Sequence, residues 1–212
     1  PTITLLKVVQ NNHGGTAASS SFTLKIDSLG ITQGVANQVT ANATHTIDEA
    51  ALSGYQFVSI TGDTACPVAL GGGVTLAPGE NITCTITNQD IAPQLTVIKH
   101  VVNNFGGPAV ASDFTMNVTG TNVSSSSFLG NESGTAVTLD QGSYSVGESG
   151  PSGYTSTSTA DCVGSINVGE TKTCTITNSD IQPQLTVVKY VVNSYGGTAT
   201  SSDFTISVTG SS

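Results

Sequence analysis

One stretch constrains this chain more than any other, because it occurs three times: Ile3-Thr-Leu-Leu-Lys7-Val-Val-Gln-Asn-Asn-His-Gly-Gly15, Leu95-Thr-Val-Ile-Lys99-His-Val-Val-Asn-Asn-Phe-Gly-Gly107 and Leu185-Thr-Val-Val-Lys189-Tyr-Val-Val-Asn-Ser-Tyr-Gly-Gly197. The lysines lie 92 (99 − 7) and 90 (189 − 99) residues apart, so the chain is a tandem array of one unit. All five basic residues are lysines, and three of them occupy this one position inside an apolar, β-branched run that reads as a strand. A lysine kept there in every copy needs a physical reason.

Composition limits what that reason can be. Charged residues make up 9 % of the 212, there is no Trp, and Ser, Thr, Gly and Val are abundant, which is a strand-and-turn composition. The net charge of −9 offers no clustered Lys/Arg footprint, so neither nucleic acid nor an anionic membrane is expected as a partner. No 18-residue apolar run is present, so no transmembrane segment is expected. No basic-then-apolar leader is present in the sequence, whose Pro1 aligns with Pro93, and a mature chain or an excerpt of a longer one is expected.

The four cysteines come two to each complete repeat, Cys66 with Cys84 and Cys162 with Cys174. An even, repeat-locked count without CxxC spacing argues for one disulfide per repeat and an oxidising compartment, hence an extracellular or cell-surface location. The competing reading is free buried cysteines in a cytosolic chain.

Turn signals divide the first repeat into seven expected strands, over 3–10, 21–27, 34–39, 43–49, 56–62, 73–76 and 81–87. The second repeats the order over 95–103, 113–119, 135–139, 143–148, 154–160, 165–168 and 171–177, with 121–127 read as a low-complexity loop. This predicts an all-β chain of tandem immunoglobulin-like sandwiches, with domains at 1–92, 93–182 and an incomplete third at 183–212. In that third segment two strands, 185–193 and 203–209, are expected; they cannot bury a sandwich core alone and need completion by further chain or another molecule. The short linkers bearing Pro93 and Pro183 predict a fairly fixed angle between successive domains.

Strand alternation then places the lysine, since residues two apart share a face. Lys99 falls in line with Leu95 and Val97, and Lys7 with Ile3 and Leu5. The closing strands read Cys84, Ile86, Asn88 and Cys174, Ile176, Asn178, while a middle strand reads His45, Ile47, Glu49 or Tyr144, Val146, Glu148. One Lys, one Glu and one Asn per repeat therefore face the core, where an unpaired polar group costs several kcal/mol.

These motifs resemble the Cna B-type domains of bacterial surface adhesins and pilins, whose fold is a transthyretin-like (prealbumin-like) sandwich. The resemblance rests on the LxVxK pattern ending at Lys99, on Tyr144-Ser-Val-Gly-Glu148 followed by Pro151-Ser-Gly-Tyr154, and on Cys174-Thr-Ile-Thr-Asn178. It covers both full repeats and the start of the third. Repeat one departs from it at Ala50-Ala-Leu-Ser-Gly-Tyr55, which lacks the proline, and the cysteines are not general to the family. The resemblance implies intramolecular Lys–Asn isopeptide bonds, Lys7 to Asn88 and Lys99 to Asn178, with Glu49 and Glu148 assisting; the partner of Lys189 would lie outside the 212 residues. The alternative is a buried Lys–Glu ion pair beside an Asn that merely ends a strand.

Other candidates carry less. Asn42, Asn81, Asn117, Asn122 and Asn131 fit the N-x-Ser/Thr glycosylation acceptor, which a chain this rich in Ser and Thr produces by chance. His13, His45 and His100 lack metal-ligand spacing, and Asp90 and Asp180 in the linkers fit turn capping better than calcium binding. No metal, cofactor or enzymatic turnover is expected. The expected function is an extracellular fibre or stalk whose partners are further repeats or other copies of itself; the alternative is a surface adhesin binding a ligand through its loops, for instance through 121–129.

Overall fold

The computed structural model describes residues 1–210. Its first repeat holds β1 (Thr2–Gln10), β2 (Leu24–Ile26), β3 (Leu29–Ile31), β4 (Ala36–Gln38), β5 (Thr44–Glu49), β6 (Tyr55–Gly62), β7 (Gly72–Thr75) and β8 (Asn81–Asp90). The second holds β9 (Gln94–Val102), β10 (Thr115–Thr119), β11 (Ser127–Leu129), β12 (Thr135–Thr138), β13 (Gly142–Ser149), β14 (Tyr154–Ser158), β15 (Val163–Ile166) and β16 (Thr171–Asp180). Each repeat is a pair of four-stranded sheets, β4-β1-β8-β6 with β3-β2-β5-β7, and β12-β9-β16-β14 with β11-β10-β13-β15. Among the described residues the only helical segments are three-residue 3-10 turns. The all-β sandwich expectation holds.

First and last strands of each repeat are neighbours at the centre of a sheet, and they run parallel: Lys7 stands beside Ile86 and Lys99 beside Ile176. β8 keeps one residue in two buried from Ile82 through Cys84, Ile86 and Asn88 to Asp90, so the alternation carries polar side chains into the core at its C-terminal end. The apolar floor beneath them is Ile3, Leu5, Leu24, Ile47 and Ile86 in repeat one, and Leu95, Val97, Met116, Val137 and Ile176 in repeat two. Both expected disulfides are formed, Cys66–Cys84 and Cys162–Cys174.

The strand count is a correction: eight per repeat, not seven. The missed strand of repeat one, β3, follows β2 through a two-residue turn, Asp27-Ser28, with both residues at positive φ (51° and 68°). That is primed hairpin geometry without the Asn-Gly signal that announces it. The missed strand of repeat two, β11, lies at the end of the low-complexity stretch. A second correction concerns 185–193 and 203–209, which form no ladder. The strand at the position of 185–193 in repeat two, β9, is held between β12 and β16, and 181–210 contain no counterpart of either. The chain divides into compact units 1–180 and 181–212.

Within the first unit the two sandwiches meet through backbone. Ile91 N donates to Gly54 O (2.9 Å), Gly169 N to Ile91 O (2.8 Å) and Gln141 N to His13 O (2.8 Å). Gly54 has φ 80°, and a Cβ there would stand 2.7 Å from Val168 O, so glycine is required at this joint on two counts.

The Asp27 turn is also pinned by chemistry peculiar to repeat one. Its carboxylate accepts from Thr46 N (2.8 Å) and faces His45 Nδ1 (2.6 Å), while His45 Nε2 faces Thr40 O (2.9 Å). Both ring nitrogens face acceptors, so the imidazolium is the form that satisfies them. Hydrogen bonding to Asp27 raises the His45 pKa, and hydrogen bonding to His45 lowers that of Asp27. A raised histidine gives stability that is complete below its unfolded value, about 6.5, and fades as pH rises through its folded value. Calorimetry of the chain is therefore expected to show repeat one losing thermal stability as pH rises from about 6 to 8, and H45Y, which installs the residue found at position 144, is expected to flatten that dependence.

Candidate functional site

In each repeat the two central strands bring a lysine and an asparagine together on the core face, and a strand of the opposite sheet adds a glutamate. Lys7 Nζ lies 2.5 Å from Asn88 Oδ1 and 2.8 Å from Glu49 Oε2, and Asn88 Nδ2 donates to Glu49 Oε1, which closes a ring of three. In repeat two Lys99 Nζ donates to Asn178 Oδ1 at 2.7 Å and stands 3.1 Å from Glu148 Oε2. That Oε2 is buried and makes no aligned hydrogen bond. Lys99 is 0 % exposed and Lys7 8 %. Burial is the largest influence on both amines and pulls their pKa below the ordinary lysine value, against the opposing pull of the glutamates.

Three further residue pairs complete the site, and sequence reasoning missed them. An aromatic ring floors each amine: Phe22 lies 4.3 Å from Lys7 Nζ and Phe114 4.2 Å from Lys99 Nζ, in cation–π geometry. Tyr55 packs edge-on against Phe22, and Tyr154 against Phe114. Each tyrosine hydroxyl clasps the loop after the first strand: Tyr55 Oη donates to Asn11 Oδ1 and accepts from Ala17 N, and Tyr154 does the same with Asn103 and Ala109. The signal was available, because Phe22, Phe114 and Phe204 each follow their repeat's lysine by 15 residues (22 − 7, 114 − 99, 204 − 189).

The linker aspartates cap this arrangement. Asp90 accepts backbone N–H bonds from Asn12 (2.8 Å), His13 (2.8 Å) and Gly15 (2.9 Å), and Asp180 from Asn104 (2.8 Å), Phe105 (2.7 Å) and Gly107 (2.9 Å). The Gly-Gly that recurs in each copy of the stretch thus belongs, in the two complete repeats, to a nest for a carboxylate. Burial pushes these carboxyls up, but the N–H donors outweigh it and hold both below the ordinary aspartate range. Turn capping is what these aspartates do.

Unit 181–212 keeps the local parts without the site. Lys189 Nζ lies 4.3 Å above the Phe204 ring, and Asn193 Nδ2 donates to Ala199 O as Asn11 and Asn103 do to Ala17 and Ala109. Within the described residues Leu185, Val187, Phe204, Ile206 and Val208 are 45–73 % exposed, where their counterparts in repeat two are buried. The three histidines pair with carboxylates, His13 with Asp140, His45 with Asp27 and His100 with Glu132. All five glycosylation sequons, at Asn42, Asn81, Asn117, Asn122 and Asn131, are solvent-exposed. No helix of the described residues is long and apolar enough to cross a membrane.

With this geometry in view, comparison with known proteins gives one family. The sequence profile of the prealbumin-like fold domain matches residues 1–86, 90–179 and 180–212. The chain belongs to this family. No curated protein sequence matches it. Among solved structures it is similar to the major pilin T3.2 of Streptococcus pyogenes, with 14 % identity, a TM-score of 0.34, and 65 % of this chain and 67 % of that one covered. It is similar also to the Bacillus anthracis TIE protein, with 12 % identity, a TM-score of 0.43 and 85 % of this chain covered; the match takes in only 34 % of that protein. A third is the C-terminal fragment of the pilus adhesin SpaC from Lactobacillus rhamnosus GG, at 14 % identity, a TM-score of 0.37, and coverage of 87 % and 99 %.

The prealbumin-like repeats predict a stability test of their caps. Asp90→Ala orphans three backbone N–H groups and is expected to cost repeat one about 2–3 kcal/mol, read as a lower thermal midpoint for that repeat only. Because the folded Asp90 is depressed, its contribution is present above the unfolded value of about 3.9 and lost as pH falls through the folded one. Melts of D90N between pH 2 and 6 should then be flatter than those of the parent chain.

Proposed function

We propose that the chain is a load-bearing segment of an extracellular stalk or pilus-like fibre, in which each complete repeat is locked by an isopeptide bond between its first and last strands. The carrying observation is the placement of Lys7 Nζ against Asn88 Oδ1 and of Lys99 Nζ against Asn178 Oδ1, each buried, with a glutamate within 3.1 Å of the amine. An amine whose pKa is lowered by burial has a neutral fraction that is nucleophilic. Nζ attacks the asparagine Cγ, the new C–N bond replaces the Cγ–Nδ2 bond, and the leaving nitrogen departs as ammonia. The proton lost by Nζ reaches Nδ2 through the glutamate, for which Glu49 already bridges both nitrogens. Each repeat reacts once, on itself, so this is maturation and not turnover.

The bond would span 81 residues in repeat one and 79 in repeat two. As a loop closure it adds about 4 kcal/mol. Its mechanical effect is larger: with β1 and β8 parallel, tension enters at the start of one strand and leaves at the end of the other, and the covalent link carries it across between Lys7 and Asn88. The two disulfides support the extracellular placement. The adhesin alternative, with 121–129 as a ligand loop, draws less support, because that segment is bonded into its own sandwich through Ser124 N to Thr138 O and Asp140 N to Thr121 O.

The test is the intact mass of the full chain. It should fall below the sequence mass by two ammonia molecules, beyond four hydrogens for the two disulfides, and Glu148→Ala should restore one ammonia. A mass short only of the disulfide hydrogens would leave the ion-pair reading.

A further inference from the structure

The two repeats differ on one side of the sandwich. Between β10 and β11 repeat two inserts 120–126, and this segment lies across the gap between the paired sheets. Its Val123 packs on the core beside Leu139. Its backbone is held from both sides: Val118 N donates to Ser126 O (2.9 Å), Ser124 N to Thr138 O (2.8 Å) and Asp140 N to Thr121 O (2.8 Å), while Thr138 N donates to Ser124 Oγ (3.0 Å). Leu139 is left 2 % exposed and Val137 0 %.

Repeat one replaces that segment by the two-residue Asp27-Ser28 turn, and among the described residues no segment covers the equivalent place. A cleft of about 520 Å³ opens there, lined by the aliphatic Ile26, Leu29, Ile31 and Val39, by the β4-edge residues Asn37, Gln38 and Thr40, and at one side by the His45–Asp27 pair. Leu29 is 72 % exposed. Gln38 stands opposite Thr2 as Thr138 stands opposite Gln94, so its N–H and C=O face the cleft as those of Thr138 face Ser124. Thr40, in the place of Asp140, has no partner for its N–H among the described residues. Asn37, in the place of the buried Val137, spends its NH₂ on Ile3 O and Val35 O and lines the cleft.

We propose that this cleft is a peptide-binding site that takes an extended, Ser/Thr-rich segment carrying one β-branched aliphatic anchor, added along the β4 edge. Repeat two shows the occupant's chemistry, since it supplies such a segment to itself with Val123 as the anchor. The N–H and C=O of Gln38 and the N–H of Thr40 supply main-chain pairing, the Thr40 carbonyl being held by His45, and the aliphatic lining selects the anchor. This site is independent of the crosslinks and gives the chain a recognition function beside a mechanical one.

The probe is a fluorescein-labelled peptide of residues 120–128, Gly-Thr-Asn-Val-Ser-Ser-Ser-Ser-Phe, titrated with the full chain by fluorescence anisotropy. Saturable binding is expected, weakened at least about tenfold when the peptide's valine is replaced by serine. Gln38→Pro, which removes the outward N–H without touching a ladder bond, should abolish it, and so should Leu29→Asp at an exposed rim position that the fold tolerates. Absence of saturation, or binding that both variants retain, would overturn the proposal.

Discussion

A lysine amine enclosed between two sheets is the constraint on which the rest of this structure depends. Holding a charge away from water costs several kcal/mol unless partners compensate it, and Lys99 is fully buried. The fold answers from every direction: a carboxylate from the opposite sheet, an amide oxygen from the neighbouring strand and an aromatic face below. The same burial lowers the amine pKa, and the proposed crosslink would draw on the neutral amine that results.

The strand order gives this local chemistry its direction. Were the first and last strands antiparallel neighbours, both ends of a repeat would leave from the same side and tension would peel the pair apart. Parallel at the sheet centre, they send the chain in at one end and out at the other, with Lys and Asn near the exit. Two residues beyond each Asn, on the same face, the aspartate draws the loop after the first strand over the site through three N–H bonds, and the tyrosine hydroxyl fastens that loop from its other side. These contacts lie at the end where the chain leaves the repeat, beside the buried amine.

Much of this was legible in the residues. Alternation alone turned Lys7, Glu49 and Asn88 inward, and the structure brings all three within hydrogen-bonding distance. The repeat-locked cysteines announced both disulfides. What escaped did so for definable reasons. β3 is three residues long after a turn whose positive-φ residues are Asp and Ser, so neither length nor turn chemistry marks it. Segment 121–127 looked like a free loop because Ser and Thr carry no periodicity, yet its backbone pairs on both sides and one valine anchors it. The aspartates were read as caps, but their partners lie more than 70 positions away in sequence, and no local pattern reports that. The strands expected at 185–193 and 203–209 have strand composition without neighbours, and a ladder is a property of pairs.

Single-molecule pulling on the full chain, fixed at both ends under reducing conditions, addresses the central claim most directly. If the Lys–Asn links carry the load, neither complete repeat lengthens before the tether fails, and E148A makes the second repeat alone extensible. A wild-type trace with two unfolding steps, each releasing roughly 80 residues or about 280 Å of chain, would contradict it.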